Sequence, residues 1–246
     1  MSTTIAVTSG KGGTGKTSLT GGVASCLAAL GQRVLCIDMD IGLRNLDISL
    51  GMTDRALMDF TDVLEGRCSL ERAAVQHPVI TNLSLLTAPL SLPEGTITEP
   101  RMGAFLREAK ARYDYILLDA PAGLGLGYRL AVCAADRAIV VSTTDASALR
   151  DAQHLVSQLS RALPHIHLVV NRVQPKLLRR LHTNIDDAMD AAGLPLLGVV
   201  PEDPQVMLAA NSGQPLILAS HRGAATAYLN IAHRILGQKT PLMHIR

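Results

Sequence analysis

Short apolar runs alternate with longer mixed stretches along the whole chain. Residues 3–8 (TTIAVT), 33–38 (RVLCID), 83–87 (LSLLT), 115–119 (YILLD), 137–143, 167–171 (HLVVN) and 196–200 read as strands, and most of them are apolar at successive positions. Strands of that kind are buried on both faces, as in a parallel sheet covered above and below. Helices are expected at 16–30, 56–66, 69–74, 99–112, 147–159, 177–192, 205–211 and 222–236. Gly31 is placed to cap the first of them and Ser69 to open the third. The Pro-, Gly- and Thr-rich segment 88–99 reads as a loop.

Composition narrows this picture. The 246 residues are 48% hydrophobic and 18% charged, enough for one large α/β domain over 1–246 with a short tail from about 238. A net charge of +2 predicts no strong bulk attraction to nucleic acid. Aromatics at 2%, without Trp, argue against a base-stacking platform for single strands. Cys26, Cys36, Cys68 and Cys133 are scattered without a CxxC pair, which fits a reducing, cytoplasmic setting, and Cys26 and Cys36, in apolar runs, read as small core residues. The first ten residues lack a basic leader and an apolar core, so no signal peptide is expected. No apolar run reaches the ~18 residues that a membrane-spanning helix needs.

Chemistry first appears between the first strand and helix. Gly10, Lys11, Gly12, Gly13, Thr14, Gly15, Lys16 and Thr17 match the phosphate-loop pattern G-x-x-x-x-G-K-[ST], followed by Ser18. A triphosphate is a dense anion, and such a loop offers it many backbone N–H donors ahead of a helix N-terminus. The four glycines are expected to allow positive φ and close approach. Lys16 is suited to the β- and γ-phosphates and the Thr17 hydroxyl to Mg²⁺, which prefers oxygen ligands. Lys11 is a second loop lysine, and Lys16 already serves one triphosphate in cis.

Three further positions lie at strand ends, where open α/β sheets bind ligands. Asp38 closes the second strand and Asp40 follows two residues later. Either carboxylate is suited to the waters of a bound metal or to orienting an attacking water. Asp119 closes YILLD as a Walker B aspartate does, ahead of the sharp turn Ala120-Pro121-Ala122-Gly123. Asn171, at the end of HLVVN, carries both a donor and an acceptor for a purine edge. Lys176, Arg179 and Arg180 form a small basic patch that reads as a solvated face.

These motifs resemble the ParA/MinD family of deviant Walker A ATPases, from KGGTGKT through IDMDIGLRNLDISLGM and DAPAG to VVNR and the Pro201-Glu202-Asp203 turn. The segment after Asp38 is nearer the MinD branch than the ParA branch. The resemblance runs from Ile5 to about His244. It implies a doubly wound, mostly parallel sheet with helices on both faces, of the SIMIBI type. It implies ATP/ADP and Mg²⁺ as ligands, with Thr17, Asp38 and Asp119 at the metal. Asp40 is implied in hydrolysis, with Lys16, and Lys11 in reaching across a dimer interface to the partner's nucleotide. Asn171, Arg172, Pro201 and Glu202 are implied at the adenine. Partners implied are a second copy in the ATP state, a septum-inhibitor protein and an ATPase-stimulating protein, with hydrolysis slow until stimulated.

A DNA-partition ATPase of the ParA branch is the alternative, and it would need basic residues gathered on one face. A metabolic relative such as the nitrogenase iron protein would need a cluster-ligating Cys soon after Asp119, and 124–132 holds none. The family's membrane-inserting C-terminal helix is not visible in 238–246, where Pro241 interrupts and only Leu242, Met243 and Ile245 are strongly apolar. Peripheral membrane contact is therefore expected only where such a helix is present in the native chain.

Lys16→Ala should abolish ATP binding in calorimetry, because the β- and γ-phosphates lose the one cation that the loop supplies in cis. Unchanged affinity would overturn the phosphate-loop assignment.

Overall fold

The computed structural model describes residues 2–92 and 97–243. The chain runs through β1 (Thr3–Thr8), α1 (Lys16–Ala29), β2 (Val34–Asp38), α2 (Leu46–Ser49), α3 (Phe60–Leu64), α4 (Leu70–Ala73), β3 (Val75–Gln76) and β4 (Leu83–Leu86). It continues through α5 (Glu99–Ala109), β5 (Tyr115–Asp119), α6 (Leu126–Val132), β6 (Arg137–Ser142), α7 (Ala146–Leu159) and β7 (Ile166–Val173). It ends with α8 (Pro175–Leu181), α9 (Ile185–Ala192), β8 (Leu196–Pro201), α10 (Pro204–Asn211), α11 (Leu216–Ala219) and α12 (Ala224–Ile235).

The strands form one sheet in the order β3-β4-β2-β5-β1-β6-β7-β8, parallel except for β3, which pairs antiparallel with β4. Successive side chains on each strand feed opposite layers. Ile5, Val7, Val34, Cys36 and Leu117 pack with α1 and α12 on one face. Leu35, Ile37, Ile116 and Leu118 pack with α5 and α6 on the other, and Ala6, Val140 and Leu168 with α7 and α9. The doubly wound sheet expected from the sequence is the one observed, and β1, β2 and β5 end together at its carboxyl edge.

Several boundaries differ from expectation, each for a local reason. The single helix expected over 177–192 is two. His182 takes a left-handed conformation (φ 52°) that ends α8, and Asn184 and Asp187 form a capping box that starts α9. The helix expected at 56–66 shrinks to α3, where Asp59 caps reciprocally with Asp62. Ser69 does stand before α4, but its hydroxyl makes no cap bond. Gly31 follows α1 at φ 89° as expected. The expected loop at 88–99 includes 93–96, which lie outside the described residues. The short elements α2, β3, α6 and α11 were not expected, being too brief to carry a periodic signal.

Beyond α12 the chain turns at Gly237 (φ 79°) and is held by Arg234. That guanidinium donates twice to the Thr240 carbonyl, at 2.7 and 3.1 Å, and to the Leu197 carbonyl of β8 at 2.6 Å. Met243 packs against the core while Leu242 stays about half exposed; Ile245 lies outside the described residues. No helix among the described residues is long and apolar enough to cross a membrane.

Helix α1 places the phosphate loop, and its packing against α12 is tight. A Cβ on Gly22 would stand 2.2 Å from a ring carbon of the buried Tyr228. Gly22→Ala should therefore destabilise the protein by about 1–3 kcal/mol in urea unfolding, although alanine favours a helix by roughly 1 kcal/mol. A stabilised variant would show that the two helices part freely.

Candidate functional site

The loop between β1 and α1 wraps the carboxyl edge of the sheet. Gly13 and Gly15 take positive φ, 82° and 83°. Gly10 and Gly12 do not, which corrects the expectation that all four glycines are used for left-handed backbone. At Gly10 the constraint is space: a Cβ would lie 2.4 Å from the Asp151 carbonyl of α7. At Gly15 the constraint is double, because a Cβ would also meet the Asn171 amide nitrogen at 2.3 Å. Residues 12–17 line a cavity of about 520 Å³ together with Ser9, Asp40, Asn45 and Pro121. The Thr14 hydroxyl is buried there without a hydrogen-bond partner. An orphaned hydroxyl in a ring of backbone amides is the arrangement that a phosphate oxygen satisfies.

Behind the loop sits a buried polar cluster. Asp119 is 1% exposed and ends β5. The Thr17 hydroxyl donates to its Oδ2 at 2.7 Å, Lys16 Nζ stands 3.4 Å from its Oδ1, and the Thr20 hydroxyl lies 3.0 Å from the same oxygen. Burial raises the Asp119 pKa, against the opposing pull of Lys16 and the two hydroxyls. Asp38 is its cross-strand neighbour in the β2–β5 register. Burial, and next the charge of Asp119, push Asp38 up to about 7, although it accepts from the backbone N–H groups of Asp40 (2.8 Å) and Leu46 (3.1 Å). A pair of carboxylates sharing one buried place, with a threonine hydroxyl beside them, is a donor set that fits Mg²⁺. Asp40 is half-buried at the cavity wall, and its carboxylate has no hydrogen-bond partner among the described residues.

The two loop lysines part company. Lys16 is buried against Asp119, whereas the Lys11 side chain is 46% exposed. Lys11 is not idle within its own chain, however: Nζ lies 2.7 Å from the Ser147 hydroxyl and 3.5 Å from Asp145, both at the start of α7. Asp145 is also the N-cap of α7, and its pKa is lowered, first by the Thr143 hydroxyl and then by Ser147 and the Ala148 N–H.

A second cavity, about 460 Å³, opens beside the loop and is lined by Gly15, Ser18, Asn171, Arg172, Pro201, Glu202 and Tyr228 among others. All four positions expected at a base are therefore together. Asn171 is 3% exposed and donates from Nδ2 to the Thr14 carbonyl at 2.8 Å. A carbonyl can only accept, so this bond fixes the amide's orientation, engages one of its two N–H donors and leaves Oδ1 free to accept. Arg172 adopts φ 55°, which swings its side chain back to Glu202 (2.7 and 3.2 Å) and to the Gly13 carbonyl (3.1 Å). Lys176, Arg179 and Arg180 remain exposed on α8, which buries no residue.

Sequence reading missed Thr20, Asp145, Ser147 and Asn45. Thr20 alone carried a signal, lying one turn after Thr17 on the same helix face. The partners of Lys11 are more than 130 residues away and carried none.

The chain is similar to known proteins over almost its whole length. A family model described as an AAA domain matches residues 2–171. The septum site-determining protein MinD of Bacillus subtilis (strain 168) is 39% identical over 246 residues, covering 98% of this chain and 92% of that protein. The MinC:MinD cell division protein complex of Aquifex aeolicus contains a chain that superposes with a TM-score of 0.90 at 36% identity, covering 99% of both chains. MinD from Pyrococcus horikoshii OT3, solved in complex with Mg-ADP, superposes with a TM-score of 0.83 at 30% identity, covering 96% of both.

The Asp38–Asp119 pair sets a pH dependence. The unfolded chain releases the Asp38 proton near 3.8, while the fold retains it up to about 7. The unfolded state is thus favoured progressively as pH rises through that interval. Without nucleotide or metal, wild-type stability relative to Asp38→Asn should fall by on the order of 1–3 kcal/mol between about pH 4.5 and 7.5. Parallel unfolding curves for the two proteins across that range would refute the buried-carboxylate account.

Proposed function

We propose that this chain, which belongs to the ParA/MinD family and is a MinD-type ATPase of cell-division site placement, times that work through a Mg-ATP-dependent monomer–dimer cycle. The observation that carries the reading is the division of labour between the loop lysines. Lys16 is buried on Asp119 and stays with its own nucleotide. Lys11 stands at the rim on an exposed contact with Asp145 and Ser147. Exposed ion pairs are worth about 0–1 kcal/mol, so a second copy's phosphates can draw Lys11 away at small cost.

Within one subunit the roles follow from chemistry already described. Backbone amides from Gly10 to Thr17 and Lys16 bind the phosphates, with Ser18 at the entrance to the helix. Thr17, Asp38 and Asp119 would hold Mg²⁺, which when bound neutralises charge on the β- and γ-oxygens. Asn171 offers Oδ1 to the exocyclic amine of adenine, a donor that guanine lacks at the same position. Arg172, Pro201 and Glu202 border that base. Asp40 orients the attacking water. Its carboxylate is not fixed by a neighbour, which supports slow turnover until a partner orders it. The Aquifex aeolicus assembly pairs that MinD with MinC. A septum inhibitor of this kind and a stimulating protein are the partners proposed here.

Light scattering with ADP and then ATP, beside turnover assays, tests the cycle. Lys11→Ala should bind ATP with near-normal affinity yet remain monomeric. Asp40→Ala should bind ATP, accumulate as dimer and hydrolyse about 10²–10⁴-fold more slowly. An ATP-dependent dimer of normal affinity in Lys11→Ala would overturn the cross-interface role.

A further inference from the structure

The turn that follows β8 is held by one carboxylate with two duties. Asp203 Oδ1 accepts from the Gln205 N–H at 2.9 Å, capping α10. Its Oδ2 accepts from the Ala224 N–H, also at 2.9 Å, and Ala224 is the first residue of α12. The two helices are separated by α11, so the chain alone does not set their distance. Each has unpaired N–H groups and a partial positive charge at the end that faces Asp203. Gly223 is shaped to this contact. It takes φ 56°, and a Cβ there would lie 2.2 Å from Asp203 Oδ2.

The turn so held is a wall of the 460 Å³ cavity, where Pro201, Glu202, Asp203 and Pro204 face Asn171 and Tyr228. Glu202 ties the other side of the turn to β7, through Arg172 and through its N–H to the Val173 carbonyl at 3.0 Å. Tyr228, one turn along α12 from Ala224, forms the back of the cavity at 2% exposure. Asp203 therefore joins the turn that walls the cavity to the start of α12, the helix that carries Tyr228.

We infer that Asp203 is a positioning residue for the nucleotide base, setting the width of the base cavity by capping α10 and α12 at once. It does not read the base itself. Both carboxylate oxygens already accept from backbone N–H groups at the two helix starts, so its bonds are to the wall and not to the cavity. The inference rests on the nucleotide reading given above and extends it to base selection. Asparagine at this place keeps one acceptor, so it can satisfy one helix and not both.

Calorimetry on the full chain with Mg²⁺ and either ATP, GTP or tripolyphosphate tests this. Tripolyphosphate reports the phosphate loop alone. Asp203→Ala should lose about tenfold in ATP affinity, the equivalent of one helix cap, while tripolyphosphate affinity stays within about twofold of wild type. The ATP-to-GTP preference should shrink in step. Asp203→Asn should fall between the two. Gly223→Ala displaces the same carboxylate without removing it and should also narrow the preference. It keeps the test open should Asp203→Ala fail to fold. A lower melting temperature with an unchanged ATP-to-GTP ratio in all folded variants would reduce Asp203 to a fold contact and overturn the inference. A wild type that binds tripolyphosphate but does not prefer ATP to GTP would overturn the base cavity, and with it this role. A wild type that binds neither would overturn the nucleotide reading itself.

Discussion

The contact on which the site depends is the buried one between Asp119 and the start of α1. A carboxylate sealed at the carboxyl end of a central strand costs several kcal/mol unless it is paired and hydrogen-bonded. Lys16, Thr17 and Thr20 meet that need from successive turns of one helix. The same contacts fix the start of α1 at the edge of the sheet, beneath the loop that lines the cavity. The nest for an anion is thus a by-product of solvating one aspartate from within. The arrangement is also incomplete: Asp38 stands alongside Asp119 with no cation of its own among the described residues, and burial and the neighbouring carboxylate push its pKa up. On the proposed reading a divalent cation would take the place of the proton that Asp38 retains, so metal loading and pH would act on the same pair.

Much of this was legible in the sequence because the relevant signals are local. A phosphate loop needs its glycines and lysine within eight positions, and a strand that ends in Asp announces both its burial and its edge. Asp38, Asp119 and Asn171 fell where the apolar runs ended, and the structure brings them to one rim. Illegible were contacts between residues distant in the chain. Lys11 with Asp145, Asp203 with Ala224 and Asn171 with Thr14 each join segments whose adjacency exists only once the sheet is assembled. The split of α8 from α9 is a different case. The Asn184–Asp187 capping box was present in the sequence, and the longer helical period masked it.

Selection among anions and among bases is handled by different physics. At the phosphates, on the proposed reading, backbone donors and a buried cation would act through charge, which is strong and indiscriminate. At the base, one side-chain amide is fixed by a carbonyl of the phosphate loop itself. On the proposed reading, the orientation that would discriminate between purines is imposed by the loop that would bind what all nucleotides share. The αL backbone of Arg172 serves the same economy, turning one residue back to bridge the loop and the Glu202 wall.

The Arg234 fork at the end of α12 bears on how copies of the molecule meet. Strand β8 is the last in the sheet, and a bare outer strand is a template onto which a foreign strand can add. Arg234 occupies the Leu197 carbonyl of that strand and holds Thr240 alongside. A lysine could not span both carbonyls with a planar fork. The molecule thus wears its own selvedge: a margin finished so that the weave neither unravels there nor takes up a neighbour's thread. On the proposed cycle, association between copies would fall to the opposite kind of surface, the nucleotide edge, where a ligand can license it.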